Sequence, residues 1–360
     1  MILGELTLQN FRNHKAAKYQ FDPKVTLIIG PNTAGKSNLI ESIVFLSTGK
    51  SFRAEKDDEA IEFGQNLAKV KAEVLSGDQV INLELIITPG AVLGRKTASK
   101  KFLVNGVSKK RQDFMGNLIS VLFSPQDLDI IIDSPSLRRH FLDQVLEQVD
   151  REYRLALIAY TKSLRQRNAL LEKAREEGIR NEKQFEYWDN LLIENGQIIS
   201  QKRQAFLDFV NLTQKEIFDF TAFYDKSVIS QARLLQYKDA EIGSGVTLVG
   251  PHRDDFSLSM FDDKENTTHD IKLYGSRGQQ RLAILQLKVL QVQYIKEKIK
   301  EKPVLLLDDI FSELDENHIE LVLEMFGEQQ TILTTTHREF LPKKLLNKVK
   351  IIEIKNNLLK

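Results

Sequence analysis

Residues 30–37 read Gly-Pro-Asn-Thr-Ala-Gly-Lys-Ser, and residues 303–309 read Pro-Val-Leu-Leu-Leu-Asp-Asp. Between them these residue types can bind and cleave a polyphosphate. In the first stretch the glycines let backbone N–H groups wrap phosphate oxygens, and the start of a following helix adds its positive dipole end. Lys36 is spaced to reach the terminal phosphates and Ser37 to join Mg²⁺. The binding set expected here is Gly30, Pro31, Asn32, Thr33, Ala34, Gly35, Lys36, Ser37 and the next residue, Asn38. In the second stretch, Asp308 is suited to hold Mg²⁺ largely through water. Asp309 is then left to act as base toward an attacking water. His337 closes the strand-like run ILTTTH and is read as a contact to the γ-phosphate.

These groups need a scaffold that brings them to one edge. VTLII, residues 25–29, is a strand-sized apolar run, and NLIESIVFLSTG after the loop is patterned as a helix, which is the strand–loop–helix setting of a phosphate loop. PVLLL is a buried strand that delivers a carboxylate to its C-terminal edge, where α/β sheets bind ligands. The first 125 residues are rich in strand patterns. LGELTLQNF alternates, AKVKAEVL and INLELIIT alternate around the turn SGDQ, and Asn105-Gly106 in KFLVNGVSKK is a hairpin signal. From Ser136 to Tyr224 the chain has no proline and reads as helical, with Gly178 and Gly196 as the candidate breaks. One apolar stripe there is Leu155, Ile158, Ala159 and the stem of Lys162; another runs through Leu191, Leu192, Asn195, Ile198 and Ile199. Strand patterns resume near Ser227 and continue to the end, interrupted by the helix that GSRGQQR opens. The expected fold class is α/β, a phosphate-loop ATPase head with an antiparallel β region and an inserted helical arm. Its expected parts are 1–135 (head), 136–225 (arm) and 226–360 (head).

The 360 residues suffice for one large domain or two ordinary ones. No apolar run approaches the ~20 residues of a membrane span, and the polar N-terminal stretch is unlike a secretory signal. Without cysteine there is neither a disulfide framework nor a thiolate metal site. A cytoplasmic protein with no membrane partner is expected. A net charge of +1 is no signature of nucleic-acid binding.

The order of motifs is informative beyond each motif. The phosphate loop is followed by Gln126 in SPQDL, by Ser276-X-Gly278-Gln279, by the aspartate pair, by SELD ending in Asp315, and by His337. This order resembles that of the ABC ATPases. The resemblance implies that Ser276, Gly278 and Gln279 cap the ATP held by a partner subunit, so that two ATPs lie between two head-to-tail chains. It also implies Gln126 as a Mg²⁺ or water ligand and Asp315 as a further nucleotide contact. LQNFRNH, the segments 38–53 and 121–143, SLRQRNALL, residues 187–207, GPHRDDF and LLLDDIFSELD together resemble the RecF family, related to SMC proteins. Asp309 stands where most ABC ATPases have glutamate, and RecF-like chains share it. Arg12, in the Asn-Phe-Arg opening, joins the nucleotide set by the same resemblance. What the family implies is a weak, DNA-stimulated ATPase acting in DNA repair, replication and the SOS response. Its ATP-dependent homodimer clamps double-stranded DNA near single-strand gaps, with RecR and RecO as partners in loading RecA.

The arm carries Arg151, Arg154, Lys162, Arg165 and Arg167 against a single acid, Glu152, between residues 151 and 167. A charge run is usually a solvated face; read with the family, these five become candidate DNA phosphate contacts. A transporter ATPase subunit would share the ATP motifs but not the Asn-Phe-Arg opening or the arm blocks. A nuclease-bearing phage-defence ATPase and a non-hydrolysing structural protein are further alternatives, the last opposed by the aspartate pair.

Overall fold

The structure is a computed structural model that describes residues 1–92, 95–178, 180–262, 265–310, 327, 329–336 and 349–354. The chain forms two compact units, Met1–Gln126 with Ile295–Lys360, and Asp127–Tyr294. Elements are labelled in chain order.

In the first unit, β1 (Ile2–Phe11), β2 (His14–Gln20), β4 (Ala68–Ser76), β5 (Gln79–Ile87), β8 (Lys100–Val104) and β9 (Val107–Lys109) make an antiparallel sheet in the order β2-β1-β4-β5-β8-β9. Alternation sets its faces: in β4, Ala68, Val70, Ala72 and Val74 are buried while Lys71 and Glu73 are exposed. The β8–β9 turn is the expected Asn-Gly turn, with both residues at positive φ, 49° at Asn105 and 79° at Gly106. A short hairpin, β6 (Ala91–Val92) and β7 (Arg95–Lys96), precedes β8.

The second sheet of this unit is parallel. It contains β3 (Val25–Ile29), β10 (Ser120–Phe123), β14 (Val304–Asp308), β15 (Thr331–Thr335) and β16 (Lys350–Glu353), ordered β10-β14-β15-β3-β16. Every β14 and β15 residue is buried, as expected of strands covered on both faces. Helix α1 (Lys36–Thr48) touches strands of both sheets and is buried almost all round, and the core of the unit is built on it. One turn of helix, α2 (Arg111–Phe114), leads into β10.

The second unit begins with α3 (Asp129–Ile132), α4 (Pro135–Val149), α5 (Arg151–Glu177) and α6 (Glu182–Leu212). A three-stranded sheet follows, β11 (Thr221–Asp225), β12 (Asp255–Asp262) and β13 (Thr267–Asp270), in the order β11-β12-β13. Between β11 and β12 lie α7 (Gln231–Gln236) and α8 (Lys238–Ser244); α9 (Ile271–Tyr274) and α10 (Arg277–Ile299) come last, the residues of α10 from Ile295 on belonging to the first unit.

The compact units divide at 126/127 and 294/295. The β11–β12 strands share a core with α4, α5, α6 and α10, through Phe141, Tyr153, Phe206, Phe256 and Leu287, so residues 226–294 fold with the helices. Several expectations are corrected here. Strand structure does not resume at Ser227, because two short helices intervene. Gly178 ends α5 in the left-handed conformation, but Gly196 lies inside α6. A Cβ at Gly196 would come within 2.9 Å of Ile229 and 3.0 Å of Tyr160, so glycine is there for close packing. The stripe of Leu155, Ile158 and Lys162 faces outward. The buried residues of α5 are Tyr153, Arg154, Ala156, Tyr160, Ser163, Arg167, Leu171 and Ala174. Several of those residues are polar, which hid the inward face from an apolar count.

The polar groups are paired with one another. Arg167 is completely buried and donates to Asp189 at 2.6 Å, Glu241 at 2.7 Å and Thr247 at 2.9 Å. The GPHRDDF segment forms a second network. Arg203 of α6 donates to Asp254 and to the Pro251 carbonyl, Tyr224 donates to Asp254, and Arg138 forms a two-pronged pair with Asp255. His252 meets the Tyr160 hydroxyl at 2.6 Å.

Burial pushes the His252 pKa down to about 4, with Arg253, Arg139 and Arg167 adding to the effect. Below about pH 6.5 the unfolded chain takes up a proton that the folded chain refuses until about pH 4. Its stability is therefore intact above that window and falls as pH drops through it, by ~2 kcal/mol at pH 5. Urea unfolding at pH 7.5 and pH 5 should show this loss in the wild type and a shallower dependence in His252→Gln.

Candidate nucleotide site

The parallel sheet brings the chemistry to one edge. β3 ends at Ile29 and runs into the phosphate loop; β14 ends in Asp308; β15 pairs Thr334 with Asp308 and Thr335 with Ile29. All are carboxyl ends of parallel strands, where α/β sheets bind ligands.

The loop is shaped by its own bonds and by the opening segment of the chain. Thr33 and Gly35 have positive φ, 70° and 107°, and Gly35 caps the start of α1. A Cβ at Gly35 would lie 2.6 Å from Asn13 and 2.9 Å from His14, so glycine is required both for φ and for room. Asn13 donates to the Ala34 carbonyl and accepts from Asn38 at 2.9 Å. His14 Nε2 lies 3.1 Å from the Gly35 carbonyl while its Nδ1 meets Tyr19. Desolvation lowers the His14 pKa, against the pull of that carbonyl. A neutral ring donating from Nε2 and accepting at Nδ1 satisfies both contacts. Asn13 and His14 escaped the sequence reading, although both stand in the quoted LQNFRNH.

Lys36 Nζ donates to the carbonyls of Gly30 at 2.7 Å and Pro31 at 3.1 Å, which holds the ammonium over the loop. Desolvation pulls its pKa down, and the charges of Asp309 and Asp308 oppose this. Ser37 Oγ donates to Asp308 Oδ1 at 3.1 Å. Thr334, fully buried, donates to the same oxygen at 2.6 Å and accepts from the Asp309 amide at 3.1 Å. Thr334 thus orients both aspartates. No sequence signal singled it out, because its partners lie 25 and 26 positions away. Asp309 has φ of 53°, an uncommon backbone state that Asp tolerates better than most residues.

The donor set fits a hard cation that keeps much of its own shell. One hydroxyl and one carboxylate converge, and no group of three acidic or imidazole side chains is found among the described residues. Ser37 and Asp308 would hold Mg²⁺, an ion that keeps several of its own waters. When bound, the ion would neutralise phosphate charge.

Other expected residues are placed differently. Gln126 is exposed in the turn beyond β10, next to β14 and on the same edge of the sheet. Arg12 is committed elsewhere: its guanidinium grips the buried Glu41 of α1 at 2.9 and 2.6 Å and the Glu59 carbonyl at 2.7 Å. It braces the phosphate-loop helix. Asp315 and His337 lie outside the described residues.

In the second unit, Ser276 and Gln279 open α10 as a reciprocal cap. Gln279 N–H donates to Ser276 Oγ at 3.3 Å, and Ser276 N–H donates to Gln279 Oε1 at 2.8 Å. The first-turn N–H groups of Arg277 and Gly278 have no acceptor within the helix, and both residues are exposed. This is a second helix start suited to an anion.

Of the five arm cations, two are withdrawn. Arg167 is fully buried in its ion pairs and Arg154 is buried against the Glu147 carbonyl, so neither can meet a phosphate backbone. Arg151, Lys162 and Arg165 remain exposed.

The chain is similar to known proteins over nearly its whole length. Residues 2–359 match the RecF/RecN/SMC N-terminal domain. The DNA replication and repair protein RecF of Moorella thermoacetica is 34% identical, over 98% of this chain and 94% of its own. RecF of Ligilactobacillus salivarius is 36% identical, over 99% and 96%. A solved structure of the recombination mediator protein RecF with ATP, from the RecFOR pathway, superposes with a TM-score of 0.85 at 32% identity, covering 95% of this chain and 93% of that one. An Smc head from Pyrococcus furiosus shares the fold, with a TM-score of 0.54 at 18% identity. With its phosphate loop, its aspartate pair and near-complete coverage by these relatives, the chain belongs to the RecF family of SMC-like ABC ATPases.

Proposed function

We propose that the chain is an ATP-dependent DNA-binding protein of recombinational repair and replication, in which ATP and Mg²⁺ join two copies. The observation that carries this is the convergence of Lys36, Ser37, Asp308 and Asp309 at one sheet edge. A second anion-suited helix start at Ser276 supports a shared site, since each nucleotide then has one helix start from each copy.

In this reading the loop and Lys36 bind the phosphates, and Ser37 and Asp308 hold Mg²⁺. Gln126 lies where it can position water, and Ser276, Gly278 and Gln279 cap the partner copy's γ-phosphate. Asp315 and His337 complete the site. Asp309 takes a proton from the water that attacks the γ-phosphorus, as the bond to the β-phosphate oxygen breaks. Hydrolysis is slow, is stimulated by DNA and releases the clamp from double-stranded or gapped DNA. RecR is the direct partner, with RecO and RecA acting in the same pathway, in the cytoplasm. No helix among the described residues is long and apolar enough to cross a membrane. The inserted arm and the two head segments are the parts of the clamp.

Molar mass by light scattering tests the core of this proposal. A dimer is expected with ATP and Mg²⁺ and a monomer without nucleotide or with ADP; a monomer in every condition rules out the shared site. Asp309→Asn should bind ATP as the wild type does but turn over at least ~100-fold more slowly, the usual scale for general-base loss. The dimer should then persist for the length of the experiment. Undiminished turnover in Asp309→Asn moves the base to another residue.

A further inference from the structure

Two exposed patches on this chain have complementary chemistry, and neither belongs to the nucleotide site. The first is Phe63, which is entirely exposed. It does not lie in a loose loop. Gln65 N–H donates to the Glu62 carbonyl at 3.0 Å, which closes a tight turn with Phe63 and Gly64 at its corners and Gly64 at φ 81°. Glu62 N–H donates to the Asn10 carbonyl and Arg12 N–H to the Ala60 carbonyl, both at 2.8 Å, and Ile61 bridges Phe11. The turn is thus fixed to β1, one residue from the arginine that grips α1. In the eight residues before it, 55–62, the chain carries Glu55, Asp57, Asp58, Glu59 and Glu62 against the single cation Lys56. Asp57 is paired with Lys100.

The second patch is the outward stripe of α5. Leu155 and Ile158 are 37% and 44% exposed. At spacings of four, three, four and three residues, Arg151, Leu155, Ile158, Lys162 and Arg165 lie along one line of the helix. Two apolar side chains are therefore bracketed by cations, with no acid on the line. A phosphate backbone would account for the cations but not for Leu155 and Ile158. An apolar knob preceded in the chain by a run of carboxylates accounts for both.

We infer that Phe63 of one copy docks on the Leu155–Ile158 stripe of the other, with Glu62 and its neighbouring carboxylates facing Lys162 and Arg165. The inference rests on the proposal that ATP joins two copies. In a two-fold dimer the contact is made twice, once in each direction. It gives the ATP-bound state a second attachment, and through Arg12 it couples that attachment to the helix that follows the phosphate loop.

The absence of cysteine makes the test clean. Chains carrying Phe63→Cys are mixed with chains carrying Ile158→Cys, and oxidative crosslinking is read on a denaturing gel with and without ATP and Mg²⁺. A mixed disulfide dimer that needs ATP is expected. Alongside, the dimer dissociation constant is measured for Phe63→Asp, Glu62→Lys, Lys162→Glu and an equimolar mixture of the two charge reversals. Phe63→Asp should weaken the dimer at least ~10-fold, the scale of a buried aromatic anchor. Each charge reversal alone should weaken it, and the mixture should recover part of the loss. Circular dichroism confirms that each monomer is folded.

If the wild type dimerises while the cysteines fail to crosslink and Phe63→Asp dimerises normally, this contact is wrong and the shared ATP site stands. If the wild type never dimerises, both fall. If Lys162→Glu lowers duplex DNA affinity and leaves the dimer unchanged, the stripe is a DNA contact and the inference is overturned.

Discussion

Lys36→Ala is expected to fold normally, to bind ATP about a hundredfold more weakly and to remain monomeric with ATP and Mg²⁺. The magnitude follows from two charge-assisted hydrogen bonds to phosphate at ~1.5 kcal/mol each. The fold should survive because the lysine's contacts are to two carbonyls of its own loop, at 2.7 and 3.1 Å. Pro31 is exposed, so water can take the lysine's place on at least that carbonyl. Titration calorimetry with a non-hydrolysable ATP analogue measures the affinity, and light scattering the mass. Lys36→Arg separates charge from shape. The fork is longer and needs planar partners, so recovery of binding by arginine would show that charge alone suffices. A Lys36→Ala chain that binds ATP as tightly as the wild type would remove the phosphate loop from the mechanism.

The second large effect is on stability and lies far from any nucleotide. Arg167→Leu should destabilise the second unit by ~3–5 kcal/mol, because it leaves Asp189 and Glu241 as buried charges without their cation. Both acids are almost wholly buried, and Arg167 itself is completely so. Against a typical domain stability of ~5–15 kcal/mol, such a loss brings the unit close to unfolding at growth temperature. Arg165→Leu, two residues away on the exposed side, should change stability by no more than ~0.5 kcal/mol. Urea unfolding of the nucleotide-free monomer compares the two. Equal, small losses would mean that the Asp189 and Glu241 carboxylates relax to water when the arginine is removed. The comparison also bears on DNA binding: a defect in Arg167→Leu would report a misfolded arm, whereas one in Arg165→Leu would report a surface.

The site chemistry was legible because its spacing is local. A strand, a loop of fixed length and a helix start lie within about a dozen consecutive residues, from Val25 to Lys36, so backbone geometry alone converts Gly30–Ser37 into a cradle. Asp308 and Asp309 end a run of four apolar residues that reads as a buried strand. The Asn105-Gly106 turn was equally local. So was the helix start at GSRGQQR, although its Ser276–Gln279 cap appears only in the structure and its ATP-capping role came from resemblance. The order of motifs placed the chain in its superfamily, and the longer blocks placed it in the RecF family.

What the sequence could not decide was where charges go. Arg154, Lys162, Arg165 and Arg167 read as one basic run, and only the tertiary structure separates the two that are buried from the two that are exposed. The acids that bury Arg167 stand 22 and 74 residues away, beyond any periodic window. The same holds for Arg12, whose partner Glu41 is chosen by the packing of β1 against α1, and for Thr334, which reaches Asp308 only because β14 and β15 run side by side in register. It holds too for the stripe of Leu155 and Ile158, which periodicity marked as a helix face without telling its direction. Sequence by itself thus determined the strand–loop–helix setting of Lys36, most of the local elements and the family. The tertiary structure decided burial, the pairing of distant charges and the outward faces, because those depend on which segments the fold brings together.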